Sequence, residues 1–308
     1  MLVSNTELIQ RVLMVFSLTL FGVAARKTGI IKEEIRQTLA DLIMNLTLPP
    51  LIFVAVAADL TWEQLTAGIY SPLIALLLVV IVMAGALGLG RLLRWPGPQT
   101  RTFSVLCAMP NTGFIGLPVI FAVLGQEGLA YAVLYDLGTT VPLCSFAIWV
   151  LAGRSGSKQS WKTLINPALL AMVGGLLFNW LGIKLPELVL TPLQIMGNAT
   201  TPLAMLLMGS MLGGVNLRGR GKRLVRLGLV CLGKLIIYPL LAYIVVLPFN
   251  LPPLARAVAL IQAAMPSMAS TPVLTQKYGG DNELAVTAVF ITTLLSIITL
   301  PLVVYWLV

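Results

Sequence analysis

Ten long apolar segments fill this chain almost end to end and leave no room for a water-soluble fold. They run over roughly 8–25, 36–57, 69–90, 101–124, 128–152, 163–182, 188–213, 224–248, 254–276 and 283–307 and are numbered one to ten below. A helix needs about 20 apolar residues to cross the hydrocarbon core of a bilayer, so each segment reads as a membrane span. Composition agrees: 58% of the 308 residues are hydrophobic, only 10% are charged, and the mean hydropathy is +0.96. Soluble domains carry about 25% charged residues, and polar groups this sparse cannot cover so large an apolar volume. The expected fold is an all-α polytopic membrane protein of ten transmembrane helices, with no separate soluble domain. Segment one is not read as a cleavable leader. Glu7 and Arg11 flank its start and Arg26-Lys27 follows it, the pattern of a helix anchored at the cytoplasmic face.

Charge sets the expected orientation. Sixteen of the 20 Lys and Arg residues follow odd-numbered segments. They are Arg26, Lys27, Lys32 and Arg36 after one, then Arg91, Arg94 and Arg101 after three. Arg154, Lys158 and Lys162 follow five; Arg218, Arg220, Lys222, Arg223 and Arg226 follow seven; Lys277 follows nine. The opposite loops hold Arg11, Lys184 and Arg256, and Lys234 lies inside segment eight. The positive-inside rule makes the rich side cytoplasmic and both termini extracytoplasmic. Topology and contact with anionic membrane lipids account for the net charge of +9, and no nucleic-acid partner is expected.

The chain has no His, the commonest metal ligand and general base. Cys107, Cys144 and Cys231 sit in apolar runs without CxxC spacing, so no metal site, cofactor or disulfide framework is expected. An enzyme is not expected either. Intramembrane hydrolysis needs a nucleophile with a base, a metal, or an aspartate pair, and only one aspartate lies at mid-membrane depth.

The sequence repeats itself. Residues 45–49 read NLTLP and 198–202 read NATTP, both N-x-T-x-P at an offset of 153. AMP recurs at 108–110 and 264–266, Pro118-Val119 matches Pro272-Val273, and Leu129-Ala130 matches Leu284-Ala285. The offsets stay near 155 and the order is kept, which argues for duplication of a five-segment unit, 1–152 and 163–308. Five is odd, so the second copy enters the membrane from the opposite side. Inverted repeats are the mark of alternating-access transporters.

Segments four and nine are broken. They contain AMPNTGFIGLPV (108–119) and AAMPSMASTPVL (263–274). A proline removes a backbone donor and clashes one turn back, so Pro110 and Pro266 should end a first half-helix. Pro118 and Pro272 suit the first turn of a second one. Thr271 is expected as its N-cap, whereas Leu117 offers none. Two plain proline kinks are the alternative. Unwound backbone cannot face lipid and must line an enclosed cavity. With inverted topology, both second halves point their N-termini at the midplane from opposite sides, making an anion site without Arg or Lys.

MPNTGFIGLPV in segment four resembles the hallmark stretch of the auxin efflux carrier family, which includes plant PIN carriers and bacterial malonate and malate permeases. NLTLPPLIF in segment two and MPSMASTP in segment nine are similar to it too, and the resemblance spans the chain. It implies two inverted five-helix repeats and a crossover of broken helices four and nine. It implies a transport domain (segments 3–5 and 8–10) moving elevator-fashion against a scaffold (1, 2, 6 and 7), a homodimer, and a small organic anion as substrate. By that resemblance Asn111 and the Pro110 and Pro266 breaks surround the substrate carboxylate, and Asn45 and Asn198 face it from the scaffold. Thr112, Ser267, Ser270 and Thr271, which lie in the same two breaks, are the further candidate substrate-binding residues. The long cytoplasmic loop of many plant members is missing, as in bacterial members, which places the protein in the bacterial inner membrane. Bile-acid/sodium symporters and sodium/proton antiporters share the crossover and are the near alternatives. An anion channel is the more distant one.

Single residues sharpen these expectations. Asn45 and Asn198 either bond between helices or line the substrate path. Asp136 and Lys234 are the deepest ionisable groups and make either a structural ion pair or a coupling site, with Asp136 carrying a proton. Gln262 is a cavity group or a packing amide. No acidic cluster marks a sodium site, although carbonyls released by Pro110 and Pro266 could build one, and proton coupling or uniport is expected. Asp41 snorkels to the cytoplasm, and Trp62, Tyr70, Trp161 and Trp306 read as interfacial belt residues. Gly197, Ala199, Gly209, Ser210, Gly213 and Gly214 in segment seven permit close helix approach, in keeping with a dimer.

Overall fold

The computed structural model describes residues 5–58, 62–142, 146–153, 167–212 and 221–307. Arg154, Lys158, Lys162, Arg218, Arg220, Trp161, Cys144, Gly213 and Gly214 lie outside the described residues, as do the side chains of Trp62, Lys222 and Arg223.

Among the described residues the chain is helical and forms no strand. Six helical stretches are long and apolar enough to cross a membrane: Thr6–Lys27, Glu34–Ala57, Gln64–Leu92, Thr112–Thr140, Leu224–Val246 and Asn282–Trp306. Pro167–Trp180 and Pro253–Ala263 are shorter apolar helices. Their outer faces carry large apolar side chains; Leu20 and Phe21 are each 67% exposed. Water would penalise such a surface, while lipid suits it. This is a multi-pass membrane protein.

Prolines shape the helices locally. Segment two runs as Glu33–Leu42, a π-helical turn Ile43–Thr47, and Leu48–Ala57. Segment eight has the same plan, with Gly221–Leu232, the π turn Gly233–Ile237 and Tyr238–Val246. Each π turn ends two residues before a proline, Pro49 in one case and Pro239 in the other. The proline ring would strike the carbonyl four residues back. Widening the preceding turn by one residue moves that carbonyl aside without breaking the helix. The expected release of the Asn45 carbonyl by Pro49 therefore takes the form of a π turn. In segment seven the equivalent motif divides the helix instead, into Glu187–Asn198 and Thr200–Leu212.

Leu117–Pro142 comprises two helices, the end of segment four and most of segment five, and the chain turns between them at Gly125 (φ 71°, ψ −163°). That conformation is open essentially to glycine alone, and it falls in the expected gap between the two segments.

Helices pack in lipid through close approach of backbones more than through apolar burial. Segments one and seven illustrate this. A methyl group added at Gly209 would stand 2.9 Å from Gly22 Cα and 2.8 Å from the carbonyl carbon of Thr19. At Gly197 it would stand 2.9 Å from Leu51 Cα in segment two. The Ser210 hydroxyl is buried and donates to the Leu207 carbonyl at 2.7 Å. Gly197 and Gly209 thus make the close approach expected of this stripe within one chain, against segments two and one.

Two apolar clusters result. One is drawn wholly from segments three, four, five, eight, nine and ten, with Leu78, Leu106, Tyr135, Tyr238, Leu260 and Ala288 at its centre. The other joins segments one, two, six and seven to segments four, five, nine and ten through Val12, Leu51, Ile120, Met205 and Met265.

Candidate functional site

The two broken segments meet. The first halves end at Ala108 and Ala263, just before Pro110 and Pro266 as the sequence suggested. Between them the backbone forms a short antiparallel bridge. Asn111 N–H donates to the Pro266 carbonyl at 2.9 Å, and Met268 N–H donates to the Met109 carbonyl at 3.0 Å. The Ser267 hydroxyl donates to the Leu106 carbonyl at 2.8 Å, and Ser267 N–H donates to Thr292 Oγ1 at 3.2 Å. Leu106 and Gln262 are the residues whose carbonyls Pro110 and Pro266 release by lying four residues on. Leu106 O is taken by Ser267, and Gln262 O accepts from Met265 N–H at 3.2 Å. A sodium site built from those two carbonyls is therefore not what the geometry offers.

Beyond the bridge the chain becomes helical again at once. A π turn, Thr112–Gly116, precedes the α-helix beginning at Leu117, so Pro118 does sit in an α-helical first turn, but the helical path opens at Asn111. In segment nine the second half is Thr271–Tyr278. Thr271 is not its N-cap. Ser270 holds that position, and among the described residues no side chain caps the helix and the buried Thr271 hydroxyl has no partner. The first N–H groups of a helix lack intrahelical acceptors, so the second half of segment four presents donors beside the crossing; in segment nine Thr271 N–H is taken by the Met268 carbonyl at 3.1 Å and Pro272 has no N–H to offer.

A cavity of about 140 Å³ opens there. Pro110, Asn111, Thr112, Asp136, Thr139, Thr140 and Ser270 give it its polar lining, and Met44, Leu48 and Ile52 of segment two and Met172 of segment six close it. A second cavity of about 330 Å³ shares Asn111, Phe114 and Ser270 with the first. It is bordered by Arg36 and Gln37, by Met208 and Met211, and by Phe290 and Thr293. Asn111 is only 2% exposed, and its side-chain amide has no hydrogen bond among the described residues.

Asp136 is held by hydroxyls. Thr112 Oγ1 donates to Asp136 Oδ1, and Thr139 and Thr140 approach the same carboxylate. The alternative of an Asp136–Lys234 ion pair falls away. Lys234 is fully buried in the other cluster region, where its ammonium lies 3.5 Å from the Tyr238 ring centroid and donates to the Ala263 carbonyl at 3.4 Å. The ring face and a helix C-terminal carbonyl take the place of an acid.

Other expected site residues lie elsewhere. Asn45 is exposed and donates to the Asp41 carbonyl at 2.9 Å, and Asn198 is exposed as well. The buried members of the two N-x-T-x-P motifs are Thr47 and Thr200, whose hydroxyls have no partner. Residues two apart on a helix face different ways, so when the threonine turns inward the asparagine turns out. Gln262 lines neither cavity. It is buried against Gly116, where any side chain would collide with its Oε1, so of its two readings the packing amide holds. Pro266, Ser267 and Thr271 build the crossing without lining a cavity. Thr139 and Thr140 were missed from the sequence, although their i+3 and i+4 spacing from Asp136 puts all three on one helix face.

The family described as membrane transport protein matches residues 7–304. The chain belongs to that family. It is the auxin efflux carrier family to which the segment-four motif pointed. An uncharacterized transporter of Methanothermobacter thermautotrophicus is 30% identical over 302 residues, 95% of this chain and 96% of the relative. An uncharacterized transporter of Methanocaldococcus jannaschii is 28% identical over 300 residues, 94% and 96% of the two chains. A protein of Rhizobium meliloti named "Putative malonate transporter" is 25% identical over 267 residues, 83% and 82% of the two. As a family member the chain is a membrane transport protein.

Proposed function

We propose that this protein is a secondary carrier that moves a small organic anion, a mono- or dicarboxylate of malonate's size, by elevator-type alternating access. One observation carries the reading: the two breaks pair with each other beside a cavity lined by Asn111, whose side-chain amide has no hydrogen bond among the described residues. A carboxylate there would meet the amide of Asn111 and the open N–H groups of a helix N-terminus, with no basic residue required. The named substrate of the Rhizobium relative is of that size and charge.

The ten segments are ten membrane spans in this reading, in inverted repeats 1–152 and 163–308, with both termini extracytoplasmic in a bacterial inner membrane. Segments 3–5 and 8–10 form the moving domain against a scaffold of 1, 2, 6 and 7. The apolar cluster drawn solely from segments 3–5 and 8–10 supports that division, because such a unit can move without tearing its own core. The test is calorimetric titration of malonate and related acids into the purified protein, which should show saturable binding of at least one of them. Heats no larger than dilution for the whole set would remove the reading.

Asp136 shares the cavity with Asn111. Two like charges 4 Å apart repel by about 4 kcal/mol at an effective dielectric constant of 20. Carboxylate binding is therefore linked to neutralisation of Asp136 by a cation, of which the proton is the simplest. Asp136→Asn is expected to flatten the pH dependence of carboxylate affinity. A variant that keeps the wild-type profile would leave Asp136 only a structural part.

The same reading makes the protein a homodimer through the scaffold. Exposed amides at Asn45 and Asn198 are costly against lipid and are better covered by a second copy. Mass measurement in nanodiscs should give two chains per particle. A single chain per particle in both nanodiscs and mild detergent would count against the dimer.

A further inference from the structure

We propose that Thr112, Asp136, Thr139 and Thr140 form a binding site for a small monovalent cation, Na⁺, in the cavity beside the crossing breaks. All four residues line that cavity. Thr112 comes from segment four immediately after the break, and the other three come from one face of segment five. Together they offer two carboxylate and three hydroxyl oxygens, and no basic side chain lines the same cavity among the described residues.

The spacing points to a cation. Thr139 Oγ1 lies 3.4 Å from Asp136 Oδ1, Thr140 Oγ1 lies 3.4 Å from Asp136 Oδ2, and Thr112 Oγ1 lies 3.1 Å from Thr139 Oγ1. Good O–H···O bonds span about 2.5–3.0 Å. Asp136 Oδ1 is satisfied by Thr112, and Thr139 Oγ1 donates to the Asp136 carbonyl at 2.8 Å, whereas among the described residues Oδ2 is approached only at 3.4 Å, by Thr140. Ligands held about 2.4 Å from a shared cation and at right angles stand about 3.4 Å apart. Hydroxyl hydrogens rotate, so Thr139 and Thr140 can turn lone pairs inward without moving their oxygens, while Thr112 keeps its proton on Asp136 Oδ1 and offers a remaining lone pair. Oxygen donors select a hard cation. A single carboxylate gives the cage one negative charge, which one monovalent ion cancels, and a cage of this size favours Na⁺ over K⁺.

The position gives the ion a task. Thr112 follows Asn111 directly, so a cation held by Thr112 and Asp136 would tie segment four to segment five and place a positive charge beside the proposed carboxylate position. The proposal deepens the carrier reading by naming its coupling ion. The cage itself can be tested with no carboxylate present.

The experiment follows thermal unfolding of the substrate-free protein in NaCl, KCl and choline chloride at equal ionic strength and fixed pH, together with equilibrium binding of radioactive sodium. A saturable rise in melting temperature specific to Na⁺, with one ion bound per chain, is expected. Asp136→Asn should lose both signals. Thr139→Val and Thr140→Val, which keep the volume, should weaken sodium binding about tenfold or more, and they carry the test if Asp136→Asn does not fold. Equal melting temperatures in the three salts with no bound sodium would overturn the site. Sodium bound with no effect on carboxylate affinity would uphold the cage and count against the carrier reading alone.

Discussion

Replacing Asn111 with alanine is expected to weaken carboxylate binding about tenfold to a hundredfold or more and to leave the helices assembled. The structure separates the two effects. The backbone of Asn111 is structural: its N–H closes the bridge to Pro266, and its carbonyl accepts from Gly116 N–H at 3.0 Å. Alanine keeps both bonds. The side-chain amide bonds nothing within the described residues, and Asn111 lines the cavity, so removing the amide should change stability by no more than about 0.5 kcal/mol. A hydrogen bond to a charged group contributes about 1.5–3 kcal/mol, and losing it weakens binding by about tenfold to a hundredfold or more. Calorimetric titration and a melting curve on the same two proteins check this. Affinity kept within about twofold would move the anion away from the crossing.

The second large effect is on assembly. Gly209→Val should destabilise the protein by about 3 kcal/mol or more, at or beyond the upper end of ordinary overpacking. The new side chain meets backbone, Gly22 Cα and the carbonyl carbon of Thr19, and backbone cannot rotate out of the way. Separating segments one and seven would also forfeit the dispersion contacts along their length. Gly88→Ala provides the control. Gly88 lies inside the helix Ser71–Leu92, and a methyl group there meets nothing within 4 Å. Glycine in a helix interior is less favourable than alanine by about 1 kcal/mol, so this change should stabilise. Opposite shifts in melting temperature for the two variants are the expected result; equal shifts would show that the contact between segments one and seven is looser than described.

Much of this architecture was legible in the residues, and the rest was not for definite reasons. Apolar length disclosed an all-helical membrane protein, with six stretches long and apolar enough to span, and the paired prolines disclosed the breaks, because both signals are local. The bridge between the breaks is a tertiary contact, and no spacing in the sequence discloses that Asn111 N–H bonds to the Pro266 carbonyl. N-x-T-x-P drew attention to Asn45 and Asn198 as the more polar residues, but the rotation of each helix decided that Thr47 and Thr200 turn inward. Asp136 and Lys234 have similar depths along the chain, and depth says nothing about azimuth, so their pairing could not be decided in advance. Gly209 was legible as a close-contact residue but not as the partner of Gly22, since a small residue permits approach without naming what approaches. Thr139 and Thr140 were readable from helical spacing, and only the greater salience of the charge beside them hid them.

Counterflow tests the central claim most directly. Purified protein in liposomes loaded with an unlabelled dicarboxylate should transiently concentrate the labelled acid from outside above its equilibrium level, and the Asn111→Ala protein should not. Labelled acid that merely equilibrates, at a rate indifferent to what the liposomes contain, would mark a channel and contradict alternating access at the crossing.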